Sequence, residues 1–322
     1  MTILIVDSNN LCHRARHSFS LSNRGMDTSV TFGFLKILSS YISKWKPSSV
    51  VICWDGGIPE FRRQAVPEYK ANRHQDEDPD AYEDFLRQVR ELQNVAIPLF
   101  GMVNVHKRGV EADDFMYHAS RMLDGEIIII TTDKDLLQCA NDRVSVYNPT
   151  KDLLYTPEII EEEFGIKMQD IVDWRAIQGD SSDNIAGVSG IGEKTATKLM
   201  QQYGDLCTIY NAAMGKSPRG KPSDKISNAI VEFGWDRLVK NIKITALYAD
   251  RVGARQTIEK AVEDYKRLDD DKFYDYLYKN DFVTLADGNF VSNLRKLRKP
   301  DFAVDKYEDM KRFPLVVKRE AI

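Results

Sequence analysis

The sequence is poor in the residues that build disulfide frameworks and zinc sites. It has four cysteines in 322 residues, none in a Cys-x-x-Cys pair, and its five histidines are scattered along the chain. Widely spaced cysteines are typical of a reducing compartment, and a zinc centre is not expected without a His or Cys cluster. No signal peptide and no apolar run of membrane-spanning length is recognisable. These features predict a cytoplasmic protein without a membrane partner.

A surplus of basic residues is also missing. The chain has 45 Lys and Arg residues against 49 Asp and Glu residues, a formal net charge of −4. Nucleic-acid binding relies on Lys and Arg that neutralise phosphates, so this total by itself does not favour such a partner. The acids are unevenly distributed, however, and nine of them fall in short motifs. Leaving those nine out changes the formal charge from −4 to +5, so the remaining surface is mildly basic.

Acidic residues come directly or shortly after three apolar runs that are typical of buried strands. The apolar runs Thr2–Val6, Val50–Cys53 and Ile127–Ile130 lack alternation and predict strands buried on both faces of a parallel sheet. Acidic residues come after these runs, namely Asp7, Asp55, Asp133 and Asp135. Helical patterns separate the strands, at 29–44, 81–93 and 112–123. The series predicts an α/β fold with a mostly parallel central sheet and flanking helices, in which ligands bind at the carboxyl ends of the strands.

A second acidic group begins a predicted helix. Glu111, Asp113 and Asp114 follow a predicted strand at 102–106 and occupy the first turn of the helix at 112–123. Acidic residues are favourable there because of the helix dipole, so capping is the simpler interpretation of any one of them. Three acids within four residues exceed what capping needs. They are therefore candidates for the same edge of the sheet.

The run Gly179–Leu199 joins two carboxylates to a glycine-rich loop. Asp180 and Asp183 precede a Gly-x-x-Gly-x-Gly segment that opens a helix. Backbone N–H groups at such a loop are a natural seat for phosphate, and glycines with positive φ would let the backbone approach it. Capping of the next helix by the two aspartates is the alternative interpretation. The glycines of the loop are Gly187, Gly190 and Gly192.

Together the nine acidic residues predict a metal site. Clustered anions repel one another and shift each other's pKa unless cations are present. Two divalent ions about 3.5–4 Å apart would neutralise them and form a site that hydrolyses phosphodiester bonds. Carboxylate oxygen is the ligand type of Mg²⁺, and Mn²⁺ is the expected substitute. The predicted metal-binding residues are Asp7, Asp55, Glu111, Asp113, Asp114, Asp133, Asp135, Asp180 and Asp183.

Six motifs appear in the order found in one enzyme family. They are VDSNNL (6–11), WDGG (54–57), PEYKANR (67–73), VEADD (110–114), TTDKD (131–135) and the run from residue 179. On these motifs the chain resembles the structure-specific 5′ nucleases: the flap endonucleases, the phage 5′–3′ exonucleases and the amino-terminal domain of bacterial DNA polymerase I. The resemblance implies a PIN-like 5′ nuclease core, a helical arch over the site and a helix–three-turn–helix element that binds DNA.

The same resemblance implies roles for single residues. Lys70 and Arg73 would be catalytic cations that face the scissile phosphate, where positive charge stabilises phosphoryl oxygens. Arg62 and Arg63 add positive charge nearby or are ordinary solvated residues. The first ion would be held by Asp7, Asp55, Glu111 and Asp113. Asp133, Asp135, Asp180 and Asp183 would hold the second ion or lie in its outer coordination shell, and Asp114 is left unassigned between the two.

Further residues are implied to contact DNA. Tyr69 would stack on a base or simply pack. The glycine loop, which often binds K⁺ in the family, would hold a duplex phosphate with Lys194, Thr195 and Lys198, although a solvated helix face is the alternative for the lysines. The implied partners are DNA with a 5′ flap, a nick or a fork, RNA–DNA hybrids and a single-stranded-DNA-binding protein. The chain itself is expected to be a monomer.

We predict two regions in the chain. Residues 1–185 form the nuclease core with the arch near 68–95, and residues 186–322 form a helical region with the helix–three-turn–helix and a basic C-terminal tail. The segment 74–84 is acidic and poor in apolar residues, which predicts an arch that is mobile without DNA.

The resulting hypothesis is a replication nuclease that cuts DNA and RNA primers, with RNase H activity as a further expectation. Two other classes stay open. A PIN-type ribonuclease would explain the acidic residues, but not the PEYKANR motif or the glycine loop. A non-catalytic DNA-binding module would explain the loop, but not nine carboxylates placed at strand ends.

Overall fold

A six-stranded sheet forms the centre of the molecule, for which a computed structural model describes residues 1–73 and 78–303. The strands are β1 (Thr2–Asp7), β2 (Ser22–Asn23), β3 (Met26–Asp27), β4 (Ser49–Cys53), β5 (Val103–Val105), β6 (Glu126–Ile130), β7 (Val144–Asn148) and β8 (Leu153–Tyr155). β2 and β3 form a separate antiparallel hairpin. The central sheet has the order β5-β4-β1-β6-β7-β8, in which β8 pairs antiparallel with β7 and the other neighbours pair in parallel.

Helices cover both faces of the sheet. They are α1 (Ser8–Ser18), α2 (Ser29–Trp45), α3 (Glu60–Ala65), α4 (Pro79–Glu91), α5 (Ile97–Leu99), α6 (Ala112–Met122), α7 (Pro157–Phe164), α8 (Ile171–Gln178), α9 (Glu193–Tyr203), α10 (Leu206–Ala213), α11 (Asp224–Phe233), α12 (Trp235–Thr245), α13 (Ala254–Glu263), α14 (Asp270–Lys279) and α15 (Gly288–Arg295). Shorter 3₁₀ turns lie at Lys134–Cys139, Met168–Asp170 and Val283–Leu285.

β1 occupies the middle of the sheet because it is apolar on both faces. Leu4 lies between Val50 of β4 and Ile128 of β6. Alternate side chains of β1 belong to the two hydrophobic cores on opposite faces. A run that is buried on both sides is what the unbroken apolar sequence predicts. The predicted mostly parallel α/β fold is therefore confirmed.

One hydrophobic core extends from the sheet into the helical region. It includes Phe115 of α6, Trp174 of α8, Leu199 of α9, Ile230 of α11 and Ile258 of α13. This core crosses the proposed boundary at residue 185. The division of the chain at that point stays a prediction from the sequence.

The last described part of the chain returns to the sheet. α14 and α15 pack on the face covered by α2, where the rings of Phe100 and Phe273 lie 4.9 Å apart. The N–H of Arg298 then donates to the carbonyl of Ser48 at 2.9 Å. Phe302 forms an antiparallel bridge with Leu123, just ahead of β6. Residues far apart in the sequence therefore close the amino ends of the strands.

The region of the predicted arch is anchored at its far end. The predicted helix 81–93 is found as α4, followed by a π-helical turn at Leu92–Ala96. The side-chain oxygen of Gln88 in α4 accepts hydrogen bonds from the N–H groups of Val30 and Thr31 at 2.9 and 3.1 Å, and so caps α2. The predicted mobility of the arch falls partly on residues 74–77 and the predicted basic tail partly on residues 304–322. Both ranges lie outside the described residues.

In the part of the chain that the structure describes, no helix has the length and apolar character needed to cross a bilayer.

Candidate active site

The carboxyl ends of β1, β4 and β6 meet at a cavity of about 1050 Å³. Acidic residues stand at the end of β1, two residues after β4 and three residues after β6. The first turn of α6 and the turn after α8 add further acids to the same cavity. The structure thus brings together six of the nine predicted metal-binding residues, namely Asp7, Asp55, Glu111, Asp113, Asp133 and Asp180.

Backbone N–H groups orient three of these carboxylates. Asp7 accepts a hydrogen bond from the N–H of Asn10 at 3.0 Å and so caps α1. Asp55 accepts one from the N–H of Ala112 at 2.9 Å, at the start of α6. Asp133 accepts one from the N–H two residues later at 2.7 Å, at the start of a 3₁₀ turn. Capping and membership of the acidic cavity are therefore compatible for the same side chain.

Burial and mutual repulsion hold several of these carboxyl groups away from their ionised form. Burial, with the nearby Asp55, raises the pKa of Asp7 to about 6. Burial, with the nearby Asp135, raises the pKa of Asp133 to about 7. Burial and the neighbouring Asp133 also raise the pKa of Asp113 well above its usual value. A cation in the cavity would favour the ionised forms.

Lys70 and Arg73 line the same cavity and contact the carboxylates of Glu111, which also lines it, and Asp183, which does not. The ammonium of Lys70 donates to Glu111 and lies 3.7 Å from a carboxylate oxygen of Asp183. Arg73 donates to the other oxygen of Asp183 at 2.5 Å. Burial opposes the ionisation of Glu111, but Lys70 and Arg62 hold its pKa below the usual value. The structure therefore places both predicted catalytic cations at the predicted site.

Arg175 is a further cation, which the sequence analysis missed. It lies in α8, donates from Nε to Asp135 at 2.5 Å, and donates from a terminal nitrogen to Asp180. Burial opposes the ionisation of Asp180, but hydrogen bonds from Ser182 and Arg175 hold its pKa below the usual value. Asp135 is paired with Arg175 and does not line the cavity. No local pattern marks Arg175, because its contacts join three separate segments.

Asp114 departs most clearly from the predicted ligand set. Its two carboxylate oxygens accept hydrogen bonds from Arg62 at 2.7 and 2.9 Å, and it lies outside the cavity lining. Arg62 is only 2% exposed and also donates to Glu111 at 2.6 Å and to the carbonyl of Ile244 at 3.1 Å. In this structure Asp114 is a buried counter-ion for Arg62, and its assignment to a metal stays a prediction. Arg62 is likewise not a solvated residue, whereas Arg63 is exposed.

Tyr69 packs in the protein interior. Its side chain is 6% exposed and lies with Ile185 and Ile244 in a small apolar cluster. The hydroxyl lies 3.2 Å from a carboxylate oxygen of Asp183 and 3.3 Å from one of Glu111. The burial of the ring favours the packing interpretation of Tyr69, and base stacking stays a prediction.

Family models for 5′-3′ exonucleases match most of the chain. The model of the N-terminal resolvase-like domain matches residues 2–165, and the model of the C-terminal SAM fold matches residues 166–252. The chain belongs to the 5′-3′ exonuclease family. The two family models meet at residue 165, whereas the sequence analysis divides the chain at residue 185.

Individual relatives agree with this membership. A 5′-3′ exonuclease of Bacillus subtilis is 33% identical over 250 residues, which cover 72% of this chain and 82% of the relative. The thermostable DNA polymerase I of Thermus aquaticus is 35% identical over 209 residues, which cover 63% of this chain and 24% of the polymerase. The chain thus spans about a quarter of the length of the DNA polymerase I relatives that it matches.

A solved structure shows the same fold. The T5 D15 protein, co-crystallised with metal ions, matches with a TM-score of 0.67 at 21% identity, covering 82% of this chain and 98% of that chain. The family's architecture, an α/β core followed by a helical SAM-like region, is therefore present here.

The three glycines of the family's glycine loop differ in their surroundings. A Cβ at Gly187 would lie 1.8 Å from the carbonyl oxygen of Gln178, so close packing requires glycine there. Gly190 has a φ of +75° and faces open space. Gly192 has a φ of −92° and begins α9 in an extended conformation that any residue adopts. The left-handed conformation expected for the loop therefore occurs at Gly190 and not at Gly192.

α9 presents two exposed lysines beside this loop. Lys194 and Lys198 are exposed and four residues apart, so they lie on one face of the helix. Thr195 is half-buried, and its N–H donates to the carbonyl of Gly192 at 3.1 Å. The first N–H groups of a helix lack partners within the helix, and a phosphate contact at this end of α9 stays a prediction.

Several polar neighbours of the cavity were missed as individual residues. The hydroxyl of Thr131 donates to Asp7 at 2.8 Å. The side-chain amide of Asn10 donates to the hydroxyl of Thr132 at 2.5 Å. All of them fall within the VDSNNL and TTDKD motifs, so membership of these motifs could have indicated their position at the cavity.

The carboxylates have the donor chemistry of a divalent-metal site, but protein cations occupy some of their oxygens. Within residues 1–73 and 78–303, no three Asp, Glu, His or Cys side chains are placed to hold an ion together. Lys70, Arg73 and Arg175 are bound to carboxylates of Glu111, Asp135, Asp180 and Asp183. The carboxylate oxygens that are not paired with these cations are suitable ligands for Mg²⁺ or Mn²⁺. Binding of an ion would require some of these ion pairs to open.

Proposed function

We propose that this chain is a structure-specific 5′ nuclease that hydrolyses phosphodiester bonds in DNA, as a 5′–3′ exonuclease and flap endonuclease, and in RNA primers during replication. The observation that carries the proposal is the cavity at the strand ends, where six carboxylates, Lys70 and Arg73 face one space. The relative from Bacillus subtilis is a 5′-3′ exonuclease. The T5 D15 protein is a flap endonuclease that has been crystallised with DNA and metal ions.

The proposed cofactor is a pair of Mg²⁺ ions, replaceable by Mn²⁺. The residues that would hold the first ion are Asp7, Asp55, Glu111 and Asp113, and those for the second are Asp133, Asp135, Asp180 and Asp183. When bound, such ions lower the pKa of an attacking water and stabilise the leaving 3′ oxygen. The T5 5′-exonuclease, whose fold this chain shares, has been crystallised with divalent zinc ions.

Lys70 and Arg73 are proposed to stabilise the phosphate. Burial opposes the charge of Lys70, but Glu111 and Asp113 raise its pKa above the usual value, so the ammonium stays protonated at neutral pH. In this state it is a hydrogen-bond donor and not a base. Once the carboxylates that it touches are neutralised in another way, its N–H groups can donate to phosphoryl oxygens as negative charge develops there.

The lining of the cavity also includes side chains without a carboxylate. Asn9, His13, Tyr82 and Leu86 are among them. Aromatic and apolar side chains provide contact for the sugar and base of a nucleotide without reading its sequence. These side chains support a nucleic-acid substrate for the cavity.

The proposed substrates are DNA with a 5′ flap, a nick or a fork, and RNA–DNA hybrids. A duplex phosphate would bind at the start of α9, with Gly190, Lys194 and Lys198 around it and K⁺ at the loop. A monomeric state, a single-stranded-DNA-binding protein as partner and a cytoplasmic location are further proposals that rest on the sequence.

A cleavage assay separates this function from its two rivals. Protein and Mg²⁺ are incubated with an end-labelled 5′-flap duplex and, in parallel, with single-stranded RNA. Metal-dependent cleavage near the flap junction, lost in Asp113→Asn, is the expected result. Cleavage of single-stranded RNA alone would indicate a PIN-type ribonuclease, and binding of the duplex without cleavage would indicate a DNA-binding module.

A further inference from the structure

Two turns meet beside the acidic cavity, and each contains a residue with a left-handed backbone. In the turn 67–73, Lys70 has a φ of 57°, and in the turn 180–184, Asn184 has a φ of 58°. Positive φ is uncommon for a residue with a Cβ, although Asn adopts it more readily than Lys. A residue stays in such a conformation only where its surroundings hold it there. The contacts between the two turns identify what holds Lys70.

Three hydrogen bonds fasten the turns to each other. They join the N–H of Lys70 to the carbonyl of Asp183 at 3.0 Å, the side-chain amide of Asn184 to the carbonyl of Glu68 at 2.9 Å, and the side-chain amide of Asn72 to the carbonyl of Ser181 at 3.3 Å. Each bond has one partner in residues 67–73 and the other in residues 180–184. We refer to these two turns with their three hydrogen bonds as the turn clamp.

The turn clamp links a proposed catalytic cation to a proposed metal-binding carboxylate. The backbone carbonyl of Asp183 accepts the N–H of Lys70, while its carboxylate accepts hydrogen bonds from Arg73 and Tyr69. The position of the Lys70 backbone is therefore set by the same residue whose side chain would hold an ion. A shift of either turn would change the distance between the ammonium and the acidic cavity.

We propose that the turn clamp positions Lys70 for the reaction and that Asn184 is its main positioning residue. The part of this inference that concerns reaction rate rests on the proposed nuclease function. Asn184 is exposed and does not line the cavity, so it acts through Glu68 and Lys70 rather than on substrate. Its side chain supplies an N–H donor, and its tolerance of positive φ shapes the second turn.

Two variants at this position separate the donor from the backbone conformation. Asn184→Asp keeps the size of the side chain and its tolerance of positive φ, but places an oxygen where the donor faces the carbonyl of Glu68. Asn184→Gly keeps the left-handed backbone without strain and removes the side chain without adding a charge. Asn289→Asp makes the same chemical change on an exposed residue of α15 and serves as the matched control.

Hydrogen exchange of the full metal-free chain tests the clamp without reference to catalysis. Both Asn184 variants should accelerate exchange of the Lys70 N–H by about tenfold, the effect expected when one hydrogen bond is lost. Exchange in β1 and β4 should stay as in the wild type, and Asn289→Asp should match the wild type throughout. Unchanged exchange at 67–73 in both variants would overturn the clamp. Equal acceleration in β1 and in the turn would reduce Asn184 to a residue that only supports the fold.

Single-turnover cleavage at saturating flap DNA tests the positioning role. The rate should fall by about tenfold in Asn184→Asp, while the Kd for DNA changes by less than about twofold. Faster exchange at Lys70 with an unchanged rate would show that the clamp does not position the lysine for chemistry. If the wild type fails to cleave flap DNA, the proposed function is wrong, and the exchange experiment still decides whether the clamp exists.

Discussion

Lys70 keeps a positive charge in a nearly buried place because acidic groups surround it. Glu111, Asp113 and Asp183 raise its pKa, although burial alone would lower it. A lysine that stays protonated across the neutral range is not available as a general base. Its proposed contribution is electrostatic and would be greatest when charge develops on the phosphate.

We therefore expect Lys70→Ala to lower the single-turnover rate on a 5′-flap duplex by about 10²–10³-fold, as for the loss of a charge-stabilising donor. The Kd for DNA should change little, because the proposed duplex contacts lie at α9. Lys36→Ala, at an exposed site on α2, is the control and should react like the wild type. Weaker binding at an unchanged rate would make Lys70 a substrate contact and not a transition-state stabiliser.

Arg62 is the buried residue on which the acidic start of α6 depends. Arg62→Met would leave Asp114 and Glu111 without this partner in the interior, which costs about 3–5 kcal/mol when one member of a buried ion pair is removed. Urea denaturation of the metal-free protein should show this loss in the free energy of unfolding. The exposed neighbour offers a matched variant, Arg63→Met, which should stay within about 0.5 kcal/mol of the wild type.

The paired variant Arg62→Met with Asp114→Leu sharpens this test. It removes the lone buried charge of Asp114 and should recover part of the lost stability. Equal stability of Arg62→Met and Arg63→Met would contradict the account of Arg62 as a buried counter-ion.

Individual site residues differ in how far the sequence could predict them. Asp7, Asp55 and Asp133 were predictable, because a strand end fixes where the next side chain lies. Asp114 was not, because two neighbouring acids in one helical turn point in different directions, and only the packing of Arg62 decides which one faces the cavity. Arg175 gave no signal, since its partners come from other segments of the chain.

At the scale of elements, the glycines of the loop before α9 differ in backbone conformation, and this difference predicts different effects on DNA binding. A Cβ would meet open space at both Gly190 and Gly192, but only Gly190 has a positive φ. Gly190→Val should therefore distort the loop and weaken binding to flap and nicked duplexes, while Gly192→Val should have a smaller effect. Affinities measured by fluorescence anisotropy at fixed salt, with folding confirmed by circular dichroism, check the difference. Equal losses in both variants would mean that the backbone conformation of Gly190 is not what the contact needs.

The sequence predicted elements better than the contacts between them. The helices of the α/β series lie close to their predicted positions, because the apolar pattern of each segment is local. The turn clamp between 67–73 and 180–184 could not be predicted, because the local sequence of neither segment indicates contact with the other. The packing requirement at Gly187 was hidden for the same reason.

At the scale of the whole molecule, the acidic cavity makes stability depend on pH and on metal. The pKa of Asp7 is raised to about 6 and that of Asp133 to about 7, so their contribution to stability is complete below about pH 4 and is lost as the pH rises through those values. Burial lowers the pKa of His118 to about 4. Its contribution to stability therefore rises as the pH increases from about 4 to 6.5, opposite to that of the two aspartates. A divalent ion would remove the penalty of the ionised aspartates.

We expect Mg²⁺ to raise the Tm more at pH 7.5 than at pH 5.5, because the ion binds the ionised carboxylates. Thermal unfolding with Mg²⁺ and with a chelator at both pH values measures the difference. Asp133→Asn isolates one group: without metal at pH 7.5 it should be more stable than the wild type, and it should gain less from Mg²⁺. An equal gain at both pH values would contradict this view of the cavity.

The central place of β1 has a consequence for how the chain is made. β1 is synthesised well before its neighbour β6, which begins at residue 126, and the bridge to Phe302 forms later still. At synthesis rates of about 5–20 residues per second, β1 waits roughly 6–25 s for β6 and about 15–60 s for the last segment. During that interval an apolar strand has an unpaired edge, which is the kind of surface that aggregates. The growing chain is therefore exposed to aggregation until β6 is made, and we expect co-expression of a chaperone to raise the yield of soluble protein.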